Sequence, residues 1–244
     1  MKEEGIGMNN LHQLKNELAG YADSEKAAFL PNFFRAVPGG YGEGDDFIGV
    51  SVPYQRKVAK QYFNELHLDE IEQLLQDPVH ECRLTALFMM IYRFENSKLI
   101  FEKEEIVSLY LNNLDYVNNW DLVDSSAYKL LGAYLQDRSR VILDELAASG
   151  HLWRQRVAVI ATLYFIRNND YSDTLRLAEK LLHHPHDLIH KAVGWMLREV
   201  GNRNLTVELT FLDQYYQQMP RTMLRYAIEK MDHSLRSHYL KKYQ

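Results

Sequence analysis

The chain repeats itself, and that limits what it can fold into. Segments beginning Pro78-Val79-His80, Asn118-Asn119-Trp120, Leu152-Trp153-Arg154, His186-Asp187-Leu188 and Arg221-Thr222-Met223 share one apolar rhythm. Superposed on it, one position reads Arg83, Trp120, Arg156, Lys191, Arg225, at spacings of 37, 36, 35 and 34 residues. A period of this length belongs to paired-helix repeats, in which no pair buries its apolar face alone and neighbours must stack. No tetratricopeptide or ankyrin consensus is present. The expected fold class is all-α: a HEAT-like helical-repeat solenoid, an α-α superhelix with a concave basic face.

The rest of the chain agrees with helices throughout. Leu11, Leu14, Leu18 and Tyr21 keep helical spacing, and Asp23-Ser24-Glu25-Lys26 starts a second helix that runs to Phe33-Phe34. Val52-Pro53 opens another, with proline in the first turn where its missing N–H costs little. Helices are then expected at about 69–76, 79–93, 103–113, 119–135, 139–148, 151–167, 171–182, 186–200, 205–217 and 220–231. No alternating strand pattern appears. The main irregular stretch is Val37 to Val50, which holds five of the twelve glycines. Such density marks a loop whose backbone needs unusual angles or a close approach. Its three acids and the lack of a strand–loop–helix unit speak against a phosphate cradle, and for a long connection packed by Tyr41 and Phe47.

Residues 1–8 read as a flexible leader, with Met8 an alternative start, and 9–244 as one HEAT-like repeat domain. The single cysteine, Cys82, excludes a disulfide framework within the chain and fits a reducing cytoplasm. Among Leu84, Leu87 and Phe88 it reads as core. No apolar run approaches membrane-spanning length, so a cytoplasmic location and no membrane partner are expected. Net charge is −5, yet residues 1–150 hold 14 Lys+Arg against 24 Asp+Glu, and residues 151–244 hold 14 against 9. Such asymmetry suggests that one end prefers an anion.

The repeat turns these residues into geometry, because equivalent positions in successive units fall in a row. The row holds four cations and a tryptophan; four residues further on, the same face carries Asp124 and Trp195. Asn118-Asn119-Trp120-Asp121-Leu122-Val123-Asp124 opens its helix with a good cap and an acid suited to the positive helix end. Trp120 and Asp124, four apart, share a face. A basic track with two aromatics and one acid suits a phosphate backbone plus a base or sugar. For any one residue the competing account is an arginine or aspartate that ties helices together. His183-His184-Pro185-His186 and His190 lack a glutamate in the zinc-helix place and a third ligand, so they read as a turn opening the next helix, with no metal site. Trp153 reads as a packing anchor. Gly194 costs its helix about 1 kcal/mol against alanine, which calls for a close approach there. Ser125 and Ser126 lack a nucleophile-elbow context.

With these residues in hand, the chain resembles the AlkD-like DNA alkylation repair family of HEAT-like-repeat DNA glycosylases, from about Phe33 to Tyr239. The resemblance rests on Asn119-Trp120-Asp121-Leu122-Val123-Asp124, on Trp153-Arg154-Gln155-Arg156-Val157-Ala158 and on Ile189-His190-Lys191-Ala192-Val193-Gly194-Trp195-Met196-Leu197-Arg198-Glu199. It implies a catalytic site of Asp124, Trp120, Trp195 and Arg156, with Arg156 holding a phosphate bidentately. It implies a monofunctional glycosylase that excises N3- or N7-alkylated purines from double-stranded DNA in base excision repair, without cofactor and with the base left stacked. Arg83, Arg154, Lys191, Arg198, Arg225 and Lys57 are the expected DNA-binding cations, and a monomer is expected. The family pattern adds a tyrosine near the glycine-rich loop. Here Pro38-Gly39-Gly40-Tyr41-Gly42-Glu43-Gly44-Asp45 stands in that place, which leaves the equivalence of Tyr41 open. The alternatives are a non-catalytic HEAT-repeat module recognising damaged or branched DNA, and a protein-scaffolding solenoid.

Overall fold

The computed structural model describes residues 10–241; the expected leader lies outside them. Among the described residues there are helices and turns but no β-strand, and Asp46 and Val79 form an isolated parallel bridge. The chain gathers into two compact units that divide between Leu122 and Val123.

The first unit contains α1 (Asn10–Ala19), α2 (Ser24–Phe33), α3 (Val52–Tyr62), α4 (Leu68–Leu75), α5 (His80–Asn96) and α6 (Ile100–Asn112). The last of its helices, α7 (Trp120–Ser126), begins here and ends in the second unit. Helix α5 carries the core. Every residue from His80 to Ile91 is buried, and a helix without a wet face has to sit inside. Helices α3, α4 and α6 pack on it. They bring Val58, Ala59 and Tyr62, then Ile71, Leu74 and Leu75, then Ile106, Val107 and Tyr110. Burying each such side chain is worth about 1.5–3 kcal/mol. Cys82 lies in this core at 3% exposure, where burial pushes its thiol up to about 12.

The glycine-rich stretch docks on the N-terminus of α5. Asp46 N–H donates to Pro78 O (3.0 Å) and His80 N–H to Asp46 O (2.8 Å). The buried Glu81 carboxylate accepts from the N–H groups of Ile48 (3.2 Å) and Gly49 (2.7 Å). Gly49 has φ +80°, and a Cβ there would stand 2.0 Å from Asp23 O, so only glycine fits.

The second unit contains α8 (Val141–Ala148), α9 (Leu152–Ala161), α10 (Leu163–Arg167), α11 (Ser172–Lys180), α12 (Asp187–Gly201), α13 (Leu205–Tyr215), α14 (Arg221–Ala227) and α15 (His233–Leu240). Helix α12 is its hub, packed by α9, α11, α13 and α14. A Cβ on Gly194 would lie 2.4 Å from Met223 O and 2.6 Å from Tyr226 Cβ. The mid-helix glycine is therefore where α14 crosses. The second helices of the last three repeats, α9, α12 and α14, pack side by side as the period requires.

Three elements differ from expectation. The helix expected at 119–135 stops at Ser126, and a π-helical turn, Tyr128–Gly132, follows, closed by Gly132 N–H on Ala127 O at 3.0 Å. Such turns recur beside functional sites. The helix expected at 151–167 breaks at Thr162, whose hydroxyl donates to Val159 O (2.7 Å) and competes with the ladder. Helix α15 was not expected; its sequence is short and polar, and Asp232 caps it by accepting from Leu235 N–H (3.0 Å).

Candidate functional site

In the first unit the motif is anchored before it starts. Asn119, fully buried, donates to Phe34 O (3.2 Å) and accepts from Trp120 N–H (2.9 Å), which caps α7 as expected. Asn118 accepts from Arg83 Nη2 (3.2 Å) and donates to Asp45 Oδ1 (3.1 Å). The half-buried Trp120 ring meets the edge of Phe33 at 5.7 Å and the tilted face of Phe34 at 5.4 Å. Phe33 is half exposed and lies 5.9 Å from the exposed Phe29. So α2 continues the aromatic surface that Trp120 begins.

Beneath this surface lies a buried ion cluster. His80 sits between two carboxylates, Nδ1 at 3.0 Å from Asp45 Oδ2 and Nε2 at 2.8 Å from Asp121 Oδ2. Arg83 Nη2 reaches Asp45 Oδ2 at 2.6 Å. Burial disfavours the charge on His80, but the hydrogen bonds to Asp121 and Asp45 outweigh it and push the imidazole up to about 9. Burial likewise opposes charge on Asp45, yet His80, Arg83 and Asn118 hold it below the usual carboxylate range. Of the loop's three acids, Asp45 is thus an internal counter-ion, while Glu43 and Asp46 are exposed.

This corrects the expectation for Arg83. It is 4% exposed, and its guanidinium also donates to the carbonyls of Asp77 (2.9 Å) and Pro78 (3.1 Å). It ties the loop to α5 and offers nothing to a phosphate. Lys57 is exposed; its Nζ donates to Tyr21 Oη at 2.8 Å, and Tyr21 stacks on Tyr54 at 4.4 Å.

In the second unit Asp124 meets Arg156 in a two-bond fork. Arg156 Nε donates to Oδ1 at 2.9 Å and Nη2 to Oδ2 at 2.8 Å, while Nη1 donates to Leu188 O at 2.5 Å. The guanidinium is nearly buried and joins α7 to the first turn of α12. Its expected role changes accordingly: the fork holds Asp124, not a phosphate. Asp124 keeps 18% of its side chain exposed. Trp195, half-buried on α12, donates its indole N–H to Glu199 Oε1 (3.0 Å). Lys191 pairs with Asp187 one turn back (2.7 Å), and Arg198 pairs with Glu229. Arg154 is half-buried in the first turn of α9, and Arg225 is exposed on α14. Of the predicted site residues, direct contact joins Asp124 and Arg156, and α7 carries Trp120 and Asp124 one turn apart.

The histidine-rich turn is held by its own hydrogen bonds. His184 Nδ1 accepts from His186 N–H (3.0 Å), His186 caps α12 through Leu188 N–H (3.1 Å), and His190 Nε2 meets His184 O (2.5 Å). Burial lowers the pKa of His184 and of His186. Trp153 is buried, as a packing anchor should be. Sequence reasoning missed His80, Asp121 and the α2 aromatics. No periodicity links His80 to Asp45, which lies 35 residues away.

A family model for the DNA alkylation repair enzyme matches residues 14–231. The chain belongs to the DNA alkylation repair enzyme family. The match takes in Trp120, Asp124, Arg156 and Trp195, and the family's substrate class is DNA. Two solved structures share the all-α helical-repeat fold. A "predicted DNA alkylation repair enzyme" from Enterococcus faecalis has TM-score 0.66 at 19% identity, covering 87% of this chain and 97% of that one. AlkD2 from Streptococcus mutans has TM-score 0.52 at 17% identity, covering 86% and 99%. No curated protein matches the chain. Among the described residues no helix of this family member is long and apolar enough to cross a membrane.

Proposed function

We propose that this family member is a monofunctional DNA glycosylase that hydrolyses the N-glycosidic bond of N3- or N7-alkylated purines. The observation that supports it most is the Asp124–Arg156 fork: a partly exposed carboxylate, held at both oxygens, one helical turn from Trp120.

The chemistry follows from the substrate. Alkylation at N3 or N7 leaves the purine cationic, so it departs neutral with the electron pair of the C1′–N bond. The sugar becomes oxocarbenium-like, as in glycoside hydrolysis. Asp124 stabilises that charge and orients the water whose oxygen adds to C1′ and whose proton passes to solvent. Arg156 keeps Asp124 aimed. Trp120 and Trp195 offer π-faces to the cationic nucleotide, with Phe33 extending the surface of Trp120. No lysine is needed for a Schiff base, hence no lyase step. Lys57, Arg154, Lys191, Arg198 and Arg225 provide the phosphate contacts in this reading.

The test is release of 7-methylguanine or 3-methyladenine from methylated duplex DNA. Wild type should release base, and Asp124→Asn should be slower by about 100–1,000-fold, the range for removing one transition-state charge stabiliser. Wild type that binds DNA but frees no base would make the chain a DNA-binding module without catalysis.

A further inference from the structure

We propose that His80 is a positioning residue for Trp120: packed against Phe34 and Phe47, it binds Asp45 and Asp121 at once and so fixes the first turn of α7 and the indole that turn carries. Its catalytic consequence rests on the glycosylase reading above.

Two routes lead from the imidazole to the indole. One runs through the backbone. Nε2 holds Asp121 at 2.8 Å, and Asp121 Oδ1 accepts from Leu122 N–H (2.9 Å), so the residue after Trp120 is fixed at both oxygens. The other runs through Phe34. Its ring stacks on His80 at 4.7 Å and meets Trp120 at 5.4 Å, while Phe47 covers the imidazole at 5.0 Å and stacks on Phe34 at 5.6 Å. Asn119 closes the circuit, donating to Phe34 O and accepting from Trp120 N–H.

The arrangement requires the protonated ring. A neutral imidazole has one N–H and can donate to one carboxylate only; the other would face a lone pair in a buried site. The charged groups facing His80 are Asp45 from the loop, Asp121 from α7 and Arg83 on its own helix; Phe34 and Phe47 are neutral. Two anions and two cations balance only while His80 is charged. The upward pull of the two carboxylates, to about 9, agrees with this geometry. Above that pH the cluster gains a negative charge next to the aromatic surface, and one of its hydrogen bonds fails.

The test reads Trp120 directly and does not depend on activity. Protein labelled with 5-fluorotryptophan gives a Trp120 fluorine line, assigned by its loss in Trp120→Phe. In wild type that line should move between about pH 7.5 and 10, centred near 9. In His80→Gln, checked for folding by circular dichroism, the line should broaden and stop titrating in that range. Release of methylated purine by His80→Gln should show kcat down about tenfold with KM changed by less than about twofold, the pattern of a mis-set reacting group. A folded His80→Gln whose line and kcat match wild type overturns the proposal, and so does a wild-type line that stays still across the range. If His80→Gln does not fold, the wild-type titration decides alone. If wild type frees no base, the glycosylase reading is lost, and the fluorine line still judges the role of His80.

Discussion

A guanidinium that donates two hydrogen bonds to one carboxylate fixes its orientation, and that is the work proposed for Arg156. Lysine keeps the charge but presents a point, not a fork. Arg156→Lys should therefore slow base release by about 10–100-fold by letting Asp124 swing, while leaving the salt dependence of DNA binding unchanged. A fall in the salt slope, with the rate intact, would return Arg156 to the phosphate role. The repeat pattern singled out Asp124, Trp120, Arg156 and Trp195 because it expects equivalent positions to share a face. It could not show what each side chain on that face touches. Arg83 and Arg156 occupy one repeat position and both are buried, yet one binds a loop carboxylate and the other Asp124. Partner choice depends on residues distant in sequence: Asp45 lies 38 positions from Arg83, and no periodicity links them.

Helices were more legible than their interruptions, since apolar spacing is averaged over many residues and a break depends on one or two. Five helices begin close to the five repeat starts. The Thr162 break and the π turn after α7 arise from single hydrogen-bond competitions, which leave the apolar rhythm intact. The same averaging explains why α15, short and polar, was missed. Gly194 was the exception, a single residue whose position demanded a close approach, and α14 supplies it. That contact gives a prediction for the element. In Gly194→Ala the new methyl meets backbone at Met223, which a rotamer change cannot relieve. The expected result is a loss of about 1–3 kcal/mol from overpacking, against a helix-propensity gain of about 1 kcal/mol. Thermal unfolding of the variant should show a net fall in Tm. An unchanged or raised Tm would mean that α12 and α14 separate at little cost.

Charge is distributed over the whole molecule along the same division as the packing. Up to Leu122 the chain carries 11 Lys+Arg against 20 Asp+Glu; from Val123 it carries 17 against 13. The acid excess of the first unit is partly internal, since Asp45 and Asp121 are neutralised by His80 and Arg83, and Glu81 by backbone N–H groups. A net charge of −5 therefore understates what the molecule can present to a polyanion. Binding to duplex DNA should weaken as salt rises, and the slope of log K against log salt should drop by about 1 for each phosphate-contacting cation removed. Arg154→Gln, Arg225→Gln and Lys57→Gln are expected to do so in turn and to combine additively, since they lie on separate helices. Arg83→Gln provides the contrast. It breaks a buried pair and should cost about 3–5 kcal/mol of stability, with the slope of the protein that remains folded equal to that of wild type. A slope that falls with Arg83→Gln and holds with the other three would place the DNA on the loop cluster of the first unit.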